Sequence, residues 1–175
     1  MVTDEIAAVR EAIREREPRL IAVDGVNGVG KTSRVAKVLG LPVVSTDDFL
    51  LGDGRYLDGL RLDDLRAAID RHPGQLVVEG CCVLEVLARI DMKPDLHVYA
   101  RRINASGRWE DDEVGMGDNA EQQMHLQEEI DASVRRMTGN RETRMGRLDR
   151  DLIAYHAKHR PFQVAHVVVD LVEDA

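Results

Sequence analysis

The stretch VDGVNGVGKTS, residues 23–33, constrains the fold of this chain more than any other. A β-branched apolar run, RLIAVD at 19–24, enters it, and a helical pattern, KTSRVAKVLG at 31–40, leaves it with Val35, Val38 and Leu39 on one face and Gly40 as its C-terminal stop. A buried strand that passes through a tight glycine turn into a helix is the opening of a strand–helix–strand unit, in which the next strand runs parallel to the first. The rest of the chain keeps this alternation. LPVVST (41–46) reads as a second strand and RLDDLRAAIDR (61–71) as a helix stopped by His72, Pro73 and Gly74. QLVVEG (75–80) reads as a third strand, CVLEVLARI (82–90) as a helix, DLHVYA (95–100) as a fourth strand and HVVVDL (166–171) as a fifth. An amphipathic helix at 3–17, capped by Thr3 or Asp4 and ending before Pro18, precedes them. Two further helical patterns, about 120–137 and 140–158, fall between the last two strands. The expectation is one α/β domain spanning 1–175, with a five-stranded, mostly parallel sheet and helices on both faces.

One segment, RRINASGRWEDDEVGMGDNAEQ at 101–122, has little apolar periodicity and reads as a long loop. At 175 residues a chain buries roughly 70% of the surface its unfolded form exposes, enough for a real core. The net charge of −8 disfavours a broad nucleic-acid-binding surface. The N-terminal residues lack the basic and apolar regions of a signal peptide, and no apolar run approaches a membrane span, so a cytoplasmic setting without membrane contact is expected. Cys81 and Cys82 are neighbours and read as buried, reduced thiols. The sequence leaves open whether the chain pairs with a second copy as a homodimer.

Gly25-Val26-Asn27-Gly28-Val29-Gly30-Lys31-Thr32 fits the pattern G-x-x-x-x-G-K-[ST] in full, followed by Ser33, and sits between a strand and a helix as that pattern requires. Glycines let backbone N–H groups turn inward around a phosphate, and the helix N-terminus adds a positive partial charge. Lys31 can reach the outer phosphates and the Thr32 hydroxyl can ligate Mg²⁺. The plainer alternative is a glycine turn that caps a helix and binds nothing. The motif in its context points to Mg-ATP or another nucleoside triphosphate.

A parallel sheet gathers its strand C-termini along one edge, and ligands bind there. The second strand ends in STDDF and the third in VVEG, so Asp47, Asp48 and Glu79 are candidates to converge on Lys31 and Thr32. An acidic strand end is costly to bury alone, and a bound cation offsets the cost. Read without a ligand, Glu79 is a salt-bridged carboxylate and the two aspartates an N-cap pair. Asp47 and Glu79 are taken as metal or catalytic groups, and Asp48 as the cap.

IAVDGVNGVGKTS, VVSTDDFL, LVVEG and the closing YHAKHRPFQVAHVVVD together resemble the uridine kinase, pantothenate kinase and phosphoribulokinase group of P-loop kinases, in order from about residue 19 to 170. The resemblance implies a P-loop NTPase fold and transfer of the γ-phosphate of Mg-ATP to a hydroxyl of a small molecule of nucleoside, vitamin or sugar type. By it, Asp47, in the S-x-D-x-F form of Ser45, Asp47 and Phe49, would be the base or acceptor-orienting group, and Glu79 a Mg²⁺ partner. YLDGLRLDD faintly resembles the substrate-side aspartate motif, which would set Asp58 toward the acceptor. Uridine kinases carry a longer insert between the positions of Asp64 and Glu79, with a hairpin that contacts the nucleoside, and this chain lacks it.

Phosphoryl transfer works by positioning and charge neutralisation, and one well-placed arginine is worth about 10³–10⁵ in rate. RRMTGNRETRMGRLDRD supplies Arg135, Arg136, Arg141, Arg144, Arg147 and Arg150, at the place where this kinase group carries a lid, and 101–158 reads as lid-like. Arg141, Arg144 and Arg147 are the expected phosphate contacts; the alternative is a solvated face paired with Glu142, Asp149 and Asp151. Arg101 and Arg102, read as following the fourth strand, could meet acceptor or phosphate, and Trp109 could pack on substrate or anchor its loop. Asp24 is expected to satisfy backbone groups of the loop, and His156 and His159 to be exposed helix residues. A guanine-reading N-K-x-D is absent and the one D-x-x-G, at 112–115, follows no apolar strand, which excludes a GTPase switch. A motor or AAA-type ATPase is normally larger, with a hydrophobic Walker-B strand ending in Asp-Glu, and QLVVEG ends differently. Two classes remain: a small-molecule kinase, and a nucleotide-binding regulatory protein without an acceptor.

Overall fold

Strand β1, Leu20–Asp24, is buried along its whole length and forms the centre of the sheet. In the computed structural model, which describes residues 4–52, 56–110, 119–139 and 146–172, it is flanked by β3 (Leu76–Glu79) on one side and β4 (Leu96–Ile103) on the other. Strands β2 (Val43–Ser45) and β5 (Val167–Val172) complete the order β2-β3-β1-β4-β5, and all four pairings are parallel. The expected α/β architecture is therefore present, with a sheet that is parallel throughout.

Alternation along β1 divides the interior in two. Leu20 and Ala22 face a core shared with Val78, Leu65, Leu87, Leu152 and Tyr155. Ile21 and Val23 face the opposite core with Val9, Val35, Val77 and Val98. The first core is covered by α2 (Leu62–Asp70), α3 (Val83–Arg89) and α5 (Arg147–His159), the second by α1 (Asp4–Arg16) and the helical segment after the glycine loop. Two buried faces explain why the strands read as unbroken apolar runs. Helix α4 (Ala120–Thr138) packs on α5, and a single turn, α6 (Pro161–Val164), leads into β5. Among the described residues, no helix is long and apolar enough to cross a membrane.

Four expectations need correction. The last helical pattern, read from about 140, begins only at Arg147, because Gly146 before it is extended. The segment after the glycine loop is not a plain α-helix. It winds with π-type bonds over Lys31–Ala36, where Lys37 N–H reaches the Thr32 carbonyl, and then tightens to a 3₁₀ turn at Lys37–Leu39 before the left-handed Gly40. Strand β4 runs on to Ile103, so Arg101 and Arg102 belong to the strand and pair with Asp170 and Leu171 of β5. The parallel ladder with β5 overrides the polarity that made these residues look like loop. The segment after β4 is not wholly irregular either, because Trp109 bridges back antiparallel to Ile103. The expected N-cap of α1 lies outside the described residues and side chains.

Candidate active site at the strand ends

The register aligns three strand ends. Glu79 pairs with Val23 on one side and Ser45 on the other, so Asp24, Ser45 and Glu79 finish at one level of the sheet. Strands β4 and β5 lie across β1 from β2 and β3, which puts the loop after β1 where the connections diverge, the usual ligand crevice of a parallel sheet. Within that loop Gly25, Gly28 and Gly30 all have positive φ. Gly25 is the tightest point: a Cβ there would stand 2.5 Å from the Ala100 carbonyl oxygen.

Lys31 is buried and its ammonium donates to the Val26 carbonyl at 2.7 Å, across the inside of the loop. Its second neighbour is the Cys81 sulfur at 3.6 Å. The strand β3 that ends in Glu79 lies against the helical segment that begins with Lys31. Glu79 is 2% exposed as a residue; its carboxylate makes no hydrogen bond or ion pair among the described residues, and its oxygens keep some contact with solvent. A strand-end carboxylate with free oxygens at this edge is available to a cation. Burial pushes the Cys81 thiol up to about 11, with Lys31 pulling the other way and Asp47 and Asp24 adding to the rise. Cys81 is a neutral neighbour of Lys31, as expected of a buried thiol.

Asp47 is exposed in a 3₁₀ turn, Thr46–Phe49, that continues β2. Its Oδ1 accepts a 2.8 Å bond from the Tyr56 hydroxyl. The same hydroxyl lies 2.6 Å from Thr46 Oγ1 and accepts from the Cys81 backbone N–H at 3.3 Å. Burial holds the Tyr56 phenol well above its ordinary value of 10, so it stays a donor. Gly80 brings the turn after β3 this close: a Cβ on it would fall 1.8 Å from Thr46 Oγ1 and 3.1 Å from Tyr56 Oη. Sequence reading overlooked Tyr56, which stands in a segment without periodicity. Asp48 does not cap the turn. Its carboxylate makes no bond among the described residues, and only its carbonyl is engaged, by Arg61.

Asp24 satisfies the loop as expected, accepting from the Gly25 N–H at 2.7 Å. Its other oxygen accepts from the Tyr155 hydroxyl of α5, and His97 Nε2 lies 3.5 Å away. The helix behind the arginine-rich segment is thus bonded directly to the base of the glycine loop.

The other expected site residues are held elsewhere or lie outside the description. Asp58 pairs with Arg89 of α3 at 3.2 Å. Arg101 makes a two-pronged ion pair with Asp170, at 2.7 and 2.9 Å, and its guanidinium lies 5.4 Å from the Trp109 ring. Trp109 also packs on Phe162 and Tyr99, which anchors its loop on the sheet. Arg141 and Arg144 lie outside the described residues, and Arg147 opens α5 with its side chain outside the description. Of the alternative pairing, Glu142 lies outside the described residues, while Asp149 accepts from the Gly146 N–H and Asp151 from the Leu57 N–H; Arg150 forms an exposed ion pair with Glu128 of α4. His156 is fully buried, not exposed; its Nδ1 donates to the Leu152 carbonyl, so its Nε2 accepts from Tyr99 at 2.7 Å. Among the described residues no three His, Cys, Asp or Glu side chains gather as a metal site. An open pocket of about 730 Å³ along the start of α4, lined by Met124, His125 and Glu128 among others, includes none of the strand-end residues. No family model matches the chain, and no curated protein matches it.

Proposed function

We propose that the chain is a phosphotransferase with a P-loop kinase fold, acting in the cytoplasm, that moves the γ-phosphate of Mg-ATP to a hydroxyl of a small molecule. The observation that carries this reading is the meeting of the Gly25–Lys31 loop with the Glu79 carboxylate, which no side chain among the described residues engages, and with Asp47 at one sheet edge. Mg²⁺ keeps most of its waters and needs one or two carboxylates beside the phosphates and a hydroxyl, so the lack of a three-ligand cluster does not weigh against it. Thr32, Glu79 and Asp47 would hold it, and it would neutralise charge on the phosphates. Lys31, now turned onto the Val26 carbonyl, would exchange that acceptor for a phosphate oxygen. In the transfer the acceptor oxygen bonds to the γ-phosphorus, the bond to the β–γ bridging oxygen breaks, ADP departs, and the acceptor proton passes to Asp47.

A second reading is favoured by one observation. Asp58 and Arg101, the residues expected to face an acceptor, are both engaged in ion pairs away from the loop. A nucleotide-binding regulatory protein needs no acceptor pocket. Screening nucleosides, vitamins and sugars for stimulated ADP release from Mg-ATP separates the two. A kinase gives a stimulated rate that Asp47→Asn lowers at least 100-fold with ATP affinity kept, and that Lys31→Ala abolishes. Parental ATP turnover in Lys31→Ala would end the kinase reading.

A further inference from the structure

Tyr56 joins both strand ends through one oxygen. The Cys81 N–H can only donate, and the ionised Asp47 carboxylate can only accept. The single phenol proton therefore goes to Asp47 Oδ1, and the Thr46 hydroxyl must donate to Tyr56. Two donors and one acceptor around a buried phenol leave it one orientation. Asp47 itself is exposed, and a surface carboxylate rotates freely about its last torsion unless something ties it. Its Oδ2 makes no hydrogen bond among the described residues.

We propose that Tyr56 is a positioning residue for Asp47: it tethers Oδ1 and leaves Oδ2 as the one oxygen with which Asp47 works. The proposal rests on the phosphotransfer reading and narrows it. With Oδ1 held by Tyr56 and Oδ2 taking the proton, Asp47 has no oxygen left for the cation, which Thr32 and Glu79 alone would then hold; the proton goes to Oδ2 as the acceptor oxygen bonds to phosphorus and the bond to ADP breaks. Holding the carboxylate in one orientation favours the reacting geometry, and its loss acts on kcat rather than on nucleotide binding. The ring of Tyr56 packs in the apolar core with Leu60 and Cys81, and phenylalanine keeps that packing while removing the tether.

The test uses Tyr56→Phe, Asp47→Asn and their combination. Tyr56→Phe should lower acceptor-stimulated kcat about 10–100-fold with ATP affinity within about twofold of the parent, and should cost nothing further in an Asp47→Asn background. A parental kcat in Tyr56→Phe, or a full second loss in the double variant, overturns the proposal. A second measurement needs neither turnover nor a folded phenylalanine variant. The Tyr56 hydroxyl proton in ¹H NMR of the parent should move upfield by about 1 ppm or more in Asp47→Asn, because a charge-assisted bond is lost. An unmoved signal overturns the tether. If the parent binds Mg-ATP but no acceptor stimulates it, the kinase reading fails by itself, and the proton signal alone decides whether Tyr56 holds Asp47.

Discussion

Gly80 shows how much of the site hangs on a single missing methyl group. Its φ of +155° and the 1.8 Å that would separate an added Cβ from Thr46 Oγ1 leave no room for a side chain, and Thr46 cannot yield because its hydroxyl is buried against Tyr56. Gly80→Ala is expected to destabilise the fold by about 2–4 kcal/mol, read from urea unfolding, through clash and a displaced buried hydroxyl. Gly74→Ala, where the new methyl meets nothing within 4 Å, serves as the control and should change little. The same residues mark what sequence could tell. The place of Lys31 inside the glycine loop is legible because the loop pattern sets it by local backbone geometry. Tyr56 is not legible, because its function comes from Cys81, 25 positions away, as well as from its neighbours Thr46 and Asp47.

At the scale of elements, α3 and α5 are clamped by Glu85. One of its oxygens accepts from Lys158 at 2.7 Å and His159 at 2.6 Å, the other from Arg89 at 3.4 Å. These donors, Lys158 first, hold the Glu85 carboxyl down at about 2 from an ordinary 4.5. A depressed carboxylate contributes stability that is complete above its unfolded value and is lost as pH falls through its folded one. Glu85→Gln should therefore lower stability at neutral pH by about 1–2 kcal/mol, a figure reduced because Lys158 is largely exposed. The gap between parent and variant in urea midpoints should narrow below pH 4.5 and close near pH 2. The clamp matters for the site because α5 also carries Tyr155, whose bond to Asp24 ties this helix to the glycine loop.

Across the whole molecule, the interior holds a neutral histidine between β4 and α5. Burial lowers the His156 value from 6.5, while the unfolded chain takes up a proton at its ordinary value. Stability from this residue is thus present above pH 6.5 and declines below it, before the carboxylates begin to titrate. Urea midpoints of the parent should start to fall below pH 6.5, and His156→Gln should flatten that early part of the curve. Local pattern was enough for the α/β class, for all five strands, for the helices at 4–16, 62–70, 83–89 and 120–138 to within a few residues, and for the glycine loop after β1; the helix read from about 140 begins only at Arg147, and the one read over 31–40 winds as π and 3₁₀ turns. Such features depend on side-chain periodicity and backbone freedom, which neighbouring residues set. The order β2-β3-β1-β4-β5 and the level at which Asp24, Ser45 and Glu79 end were decided only by packing. So were the partners of Asp58, Arg101 and His156, and the bond from Tyr155 to Asp24 across 131 positions of chain. Those contacts join segments remote in sequence, and no local periodicity encodes which of them will meet.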